Sequence, residues 1–188
     1  MLERDFKIFK DIPTLKTERL VLRRIKRTDL FDVYDYSSSD RVTEFLLWRR
    51  HPSKDVTRRY LDILSSKYKK GKLYDWGIEY EGHISGTVGF SSLDVTNNVG
   101  EIGYVISDKF WGRGIAVEAA QRILEFGFRV LCLERIEVRY MKENVGSKRV
   151  SEKLGMKYEG TLRRAVYAKG RYRDLSVAAV LKEEYLNR

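Results

Sequence analysis

Residues 100–119 read GEIGYVISDKFWGRGIAVEA. The first half is strand-like, whereas Ala116, Ala119, Ala120, Ile123, Leu124 and Phe128 recur at helical spacing through Leu131. Between them Gly112 and Gly114 flank Arg113. Glycine inside a helix costs up to about 1 kcal/mol against alanine, so a pair at a helix start answers a need for unusual dihedrals or for close approach to the backbone. A helix N-terminus offers unpaired amides and the positive end of a dipole, so WGRGIA suits a phosphate or pyrophosphate. A tight strand-to-helix turn with no ligand is the plain alternative. The stretch is not a P-loop, which needs GxxxxGK followed by Ser or Thr, and it fails the full dinucleotide fingerprint.

Downstream, RIEVRY from Arg135 reads as another strand. Strand, helix and strand in this order imply a crossover and a parallel pair, with the loop Gly112–Ile115 at the carboxyl end of the first strand. Upstream lie LYDWGIEY, HISGTVGFSSL and VGEIGYVIS, separated by the turn residues Glu81-Gly82 and Asn97-Asn98, which reads as an antiparallel meander. RLVLRRI from Arg19 is a further strand, and TDLFDVYDY a short helix that Thr28 is placed to cap. Val56, Tyr60, Leu64 and Tyr68 mark a helix that Gly71 can end. Ser147 to Leu154 is a short helix stopped by Gly155, and MKYEGTLRRAVY with RYRDLSVAAVL forms a hairpin around Lys169-Gly170. The expected class is α/β.

The chain has 188 residues, 43% hydrophobic, enough for one sizeable core without a second domain. No run approaches the roughly 20 apolar residues of a membrane span, and MLERDFKIFK lacks the apolar core of a signal peptide. The lone Cys132 excludes an internal disulfide and points to the cytoplasm. The formal charge of +10 favours acidic partners, but the basic residues are dispersed, which reads as a solvated surface before a specific nucleic-acid site. His51 and His83 lie apart with no Cys or Asp ligand pattern, so no metal is expected.

Four passages together resemble the Gcn5-related N-acetyltransferases (GNAT), in the branch that includes the ribosomal-protein alanine N-acetyltransferases: LKTERLVLR, GEIGYVISDKFWGRGIAVEA, VRYMKENVGSKRVSEKLGMKYEG and GRYRDLSVAAVL. The resemblance covers about residues 15–185 and implies one N-acetyltransferase domain over 1–188, with a mixed central sheet, splayed parallel strands and flanking helices. The family's acetyl-coenzyme A motif, Gln or Arg, two residues, Gly, one residue, then Gly or Ala, falls on Trp111, Gly114 and Ala116; Trp111 departs from its first position. By resemblance the amides of Arg113, Gly114, Ile115 and Ala116 hold the pyrophosphate, with Gly112 shaping the turn, and Tyr104, Val105 and Ile106 lie beside the pantetheine arm.

The implied reaction is direct attack of a neutral amine on the acetyl-CoA thioester, without metal or covalent enzyme intermediate. Glu101 matches the acceptor-site glutamate of this branch and is the base candidate, directly or through a water. Asn144 and Ser147 match the family's NxxS signature, the asparagine near the thioester and the serine as donor to the leaving sulfur; local helix capping is their other reading. Lys148 and Arg149 either bring charge toward the adenosine or phosphates or lie on the plain surface, and Tyr140, at the end of its strand, either faces the thioester or is a satisfied or partly exposed tyrosine, the safer reading. The implied acceptor is a protein N-terminal α-amine, entering near Tyr167–Asp174, with a small amine or antibiotic second. An acetyl-CoA sensor without turnover and a nucleic-acid-binding module are the remaining alternatives, and the chain is expected to be a monomer or homodimer.

Overall fold

The computed structural model describes residues 12–70 and 74–187, so the expected helix stop at Gly71 and the segment MLERDFKIFK lie outside the described residues. The elements in order are β1 (Leu15–Lys16), β2 (Val21–Arg23), α1 (Leu30–Ser37), α2 (Asp40–Thr43), α3 (Lys54–Lys69), β3 (Tyr74–Tyr80), β4 (His83–Asp94), β5 (Val99–Ile106), α4 (Ile115–Arg129), β6 (Arg135–Met141), α5 (Val145–Lys153), β7 (Lys157–Ala168), β8 (Arg171–Leu181) and α6 (Lys182–Leu186). The strands form one mixed sheet in the order β1-β2-β3-β4-β5-β6-β8-β7, with helices packed against it.

The meander and the parallel pair stand where the residue pattern placed them. β3, β4 and β5 are antiparallel neighbours, and β5 runs parallel to β6 after the α4 crossover. Helix α4 buries Ile115, Ile123, Leu124, Phe126 and Phe128, and Phe126 meets Trp76 of β3 edge-on at 5.7 Å. Burying these side chains contributes about 10 kcal/mol before entropy, so a charge at Ile123 would undo the docking of this helix.

Thr28 does not cap α1. It lies in a 3₁₀ turn, Arg27–Asp29, because Arg23 grips both Asp29 oxygens (2.9 and 3.0 Å) while Asp29 accepts from the Lys26 amide at 2.7 Å. That ion pair, between residues six positions apart, tightens the entry before the helix begins. Helix α5 starts at Val145, two residues before the expected Ser147, because the Asn144 side chain accepts from the Ser147 amide at 3.0 Å and satisfies its first turn.

Two irregularities position the site. Pairing between β5 and β6 covers Val99–Ile102 against Arg135–Val138 and then stops, although β5 continues along β4 to Ile106 and β6 along β8 to Met141. The two strands therefore diverge, leaving a wedge flanked by unpaired backbone. Secondly, β4 slips register between Phe90 and Ser92, so Ser91 is an extra residue opposite β5.

Candidate active site

The wedge opens into a cavity of about 1020 Å³, large by the standard of about 300–1,000 Å³ for ligand pockets. Its floor comes from β3, β4 and β5, its far wall from β6 and the start of α5, and its cover from α1, α3 and the segment after α2.

Glu101 stands at the root of the wedge. Strand alternation puts Glu101, Gly103 and Val105 on one face of β5, and the bulge turns Ser91 toward the same place, where its hydroxyl donates to Glu101 Oε1 at 2.9 Å. Arg139 flanks the other oxygen at 3.5 Å and shares its guanidinium with Glu137 at 2.8 Å; Glu137 in turn binds Arg135, which also grips Glu159. This ladder of charges across β5, β6 and β7 fixes the carboxylate while leaving it open to the cavity. It can accept a hydrogen bond from an ammonium, or from a water that relays its proton.

Across the wedge, the Tyr104 hydroxyl donates to the Ser147 carbonyl at 3.2 Å and lies beside the Ser147 side chain. Burial pushes the Tyr104 phenol up to about 12, against the opposing pull of Ser147, so it stays a neutral donor at physiological pH. Asn144, Ser147, Tyr140 and Val105 also line the cavity. The Asn144 Oδ1 serves as the local cap, and the residue also stands on the cavity wall. Ile106 is instead buried against the core, with its carbonyl accepting from the Trp111 indole at 2.9 Å.

The glycine loop lies outside the cavity lining, at the end of β5 beyond a 3₁₀ turn, Asp108–Phe110. Gly112 and Gly114 both have φ near 78°, the left-handed region that disfavours side chains. From Gly112 to Val117 no backbone N–H finds an acceptor among the described residues, and the loop is exposed. Arg113 lies over Phe110, and Trp111, 47% exposed, lies under the Arg41 guanidinium at 5.2 Å. Consecutive free amides at a helix start, with arginines around them, form an anion cradle that suits a pyrophosphate. Arg149 is exposed on α5 and Lys148 pairs with Glu152 at 3.8 Å; neither lines the cavity.

Several residues escaped the sequence reading. Glu118, in the first turn of α4, would oppose an anion there, yet it is claimed by the Thr17 hydroxyl (2.6 Å), the Arg19 amide (3.0 Å) and the Arg19 guanidinium (2.8 Å). Burial alone would raise its carboxyl, but these donors prevail and hold it below the usual range. Arg19 also donates to the Arg113 carbonyl at 3.1 Å, pinning the loop to the hairpin of β1 and β2. His51, set aside as isolated, is in the cavity wall, its Nδ1 between the hydroxyls of Ser37 and Thr57 (both 2.9 Å). Burial lowers its pKa, keeping the ring neutral at pH 7.

Residues 19–157 match the family model described as an acetyltransferase (GNAT) domain. The chain belongs to the GNAT acetyltransferases. Among curated relatives of this acetyltransferase, the uncharacterized N-acetyltransferase p20 of Bacillus licheniformis is 33% identical over 92% of this chain and 98% of its own length. The spermidine N(1)-acetyltransferase of Escherichia coli K12 is 26% identical over 88% of this chain and 87% of its own. In structure, a GNAT-family acetyltransferase from Bacillus anthracis superimposes with a TM-score of 0.80 at 28% identity, over 92% of this chain and all of that one. The ribosomal L7/L12 α-N-protein acetyltransferase RimL, solved in complex with coenzyme A, shares the fold with a TM-score of 0.77 at 21% identity, over 90% of this chain and 97% of that one. No metal-ligating cluster occurs among the described residues of this GNAT enzyme, and no helix among them is long and apolar enough to cross a membrane.

Proposed function

We propose that residues 1–188 act as one cytoplasmic N-acetyltransferase domain that uses acetyl-CoA to acetylate a protein N-terminal α-amine. The observation that carries this reading is that one strand, β5, leads from Glu101 at the root of the wedge along its unpaired arm to the cradle at Gly112–Val117. When bound, acetyl-CoA supplies an acetyl thioester. The amides of Arg113, Gly114, Ile115 and Ala116 bind its pyrophosphate, Gly112 and Trp111 shape the turn, and Arg149 adds charge on the nucleotide side. The backbone edge of Tyr104, Val105 and Ile106, unpaired on the β6 side, borders the route of the pantetheine arm, with Asn144 opposite.

Glu101 orients the incoming amine and takes its proton, directly or through water. The Ser147 hydroxyl, beside neutral Tyr104, donates a hydrogen bond to the departing sulfur. The cavity walls exclude bulk water and hold amine and acyl group together, which removes much of the entropic barrier. An α-amine of pKa about 8 costs about 1.4 kcal/mol to deprotonate at pH 7, against about 4.6 for lysine, so a site with one modest carboxylate acceptor suits the α-amine. A small primary amine is the second reading, favoured by the relative named for spermidine.

The test is a competition among defined peptide N-termini and small amines with acetyl-CoA, followed by mass localisation of the acetyl group. Preferential transfer to a peptide α-amine, reduced by Glu101→Gln, supports the first reading. Efficient transfer to small amines beside inert peptides replaces it with the second.

A further inference from the structure

At the end of the cavity away from α5, Asp75 and Tyr36 form a polar pocket that the reaction at Glu101 does not use. Asp75 sits on β3 opposite Gly89 of β4, which in turn sits opposite Gly103 of β5. All three line the cavity, so a strip of floor without side chains runs from the root of the wedge to the Asp75 carboxylate. With strands about 4.8 Å apart, the Cα atoms of Gly103 and Asp75 are separated by about 10 Å.

The pocket is built but unsatisfied. No ion pair to Asp75 occurs among the described residues; Lys67 acts on its carboxyl only electrostatically, from farther away. The Asp75 carboxyl is half-buried and has no paired cation, and desolvation pushes it up to about 7, against the weaker opposing effects of Lys67 and the Trp76 amide. The Tyr36 side chain is 3% exposed, and its hydroxyl lines the same cavity with no hydrogen-bond partner. It lies near enough to feel the Asp75 charge, yet beyond hydrogen-bonding reach. Tyr60 adds a second phenol, raised first by burial and then by Asp75, and His51 beside it is neutral at pH 7. A carboxylate and a free phenol facing one space, with Lys67 on the same wall but not paired to the carboxylate, complement a cation that donates to both.

We propose that Asp75 and Tyr36 bind a second cationic group of the acceptor, carried about 10 Å behind the nitrogen that is acetylated and reached along the bare strip Gly103–Gly89. The inference rests on the N-acetyltransferase reading and adds to it an acceptor with two positive groups. The shared chemistry is an ammonium or guanidinium, supplied either by a linear diamine or by a basic side chain near a peptide N-terminus.

The experiment measures equilibrium binding to the full chain saturated with coenzyme A, so it does not depend on turnover. One arm compares linear α,ω-diamines with the matching n-alkylamines; the other compares Ala-Lys-initiated peptides with Ala-norleucine counterparts. In the native chain the second cation should tighten binding in at least one arm by about tenfold or more, the weight of a charged hydrogen bond. Asp75→Asn should erase that advantage while leaving the singly charged ligands unchanged. Tyr36→Phe separates binding from structure, because deleting a hydroxyl without a protein partner leaves folding intact or improved while weakening the doubly charged ligands. No advantage for the second cation in either arm, or an advantage that survives both substitutions, overturns the proposal. A chain that shows the cation preference but transfers acetyl to nothing overturns the N-acetyltransferase reading and leaves the pocket standing.

Discussion

Gly103 offers the sharpest separation of stability from function. It lies in the middle of β5 with ordinary negative φ, immediately beyond the last residue paired with β6, and a Cβ built on it meets nothing within 4 Å. Glycine weakens a strand through unfolded-state entropy, so replacing it where the backbone is unstrained and the space is open should stabilise by about 0.4–1 kcal/mol. For a domain of this size that corresponds to a rise in Tm of about 1–4 °C. The added side chain points into the cavity between Glu101 and Val105, where acceptor and acyl group must fit. Overpacking of a filled site costs about 1–3 kcal/mol, so Gly103→Ala should lower kcat/KM by about tenfold and Gly103→Val by about a hundredfold. Thermal unfolding by circular dichroism and thiol release from acetyl-CoA would be measured on the same preparations. A variant that is less stable refutes the open geometry. Unchanged turnover refutes the use of that space by the substrate.

Gly114→Val should keep the chain folded, since only the tip of Arg19 lies near the new Cβ (3.6 Å), but the left-handed φ resists a branched residue and disorders the cradle. Titration with acetyl-CoA should show binding weakened by about tenfold or more, and native affinity would defeat the assignment of the loop. Arg19→Gln, which removes the guanidinium from Glu118 and from the Arg113 carbonyl, should weaken the same binding by about three- to tenfold. Glu101→Gln and Ser147→Ala should each reduce kcat by about a hundredfold with little change in cofactor affinity; loss confined to affinity would make them binding groups instead. Asp75 gives a pH dependence. Its folded pKa is raised from 3.8 to about 7, so between these values the folded chain holds a proton that the unfolded chain has lost, and stability falls as pH rises through that window. The loss reaches about 4 kcal/mol at most, with Lys67, Tyr36, Tyr60, Tyr68 and the Trp76 amide the groups that face or act on the carboxyl. Urea unfolding at pH 5 and pH 8 should show the slope in the native chain and its removal in Asp75→Asn; parallel curves would sink it.

What was legible in the residues followed local rules. The alternation of β3 to β5, the change to helical spacing at Ile115 and the glycine pair each express a backbone preference within a few positions, and the structure has all three in place. Asn144, Ser147 and Glu101 gather at one cavity because two of them open a helix and the third stands one residue before the end of the parallel ladder, placements that strand order already implies. What was missed depends on long-range register. Ser91 reaches Glu101 only through a one-residue bulge, and Arg19 meets Glu118 across 99 positions of chain. Asp75 reads as an ordinary strand residue until the cavity with its cover from α1 and α3 forms around it, because desolvation there rather than residue type gives it its character. The Thr28 cap failed for a local reason, since the ion pair of Arg23 with Asp29, only six positions away, outweighs the capping preference.

The short seam between β5 and β6 makes the molecule a lever. One half of the sheet is joined to the other only from Val99 to Ile102, and the arm of β5 beyond it extends to Ile106, about 13 Å at the usual strand rise. A rotation of about 5° around the seam moves the tip of that arm by about 1 Å, without breaking any hydrogen bond that pairs the strands. An error of about 1 Å in the placement of reacting groups is worth about a hundredfold in rate. The stiffness of a few paired residues with no substrate contact thus enters the rate constant directly, and packing beneath Gly100 and Ile136 tunes catalysis in the way a fulcrum sets the travel of a pair of tongs.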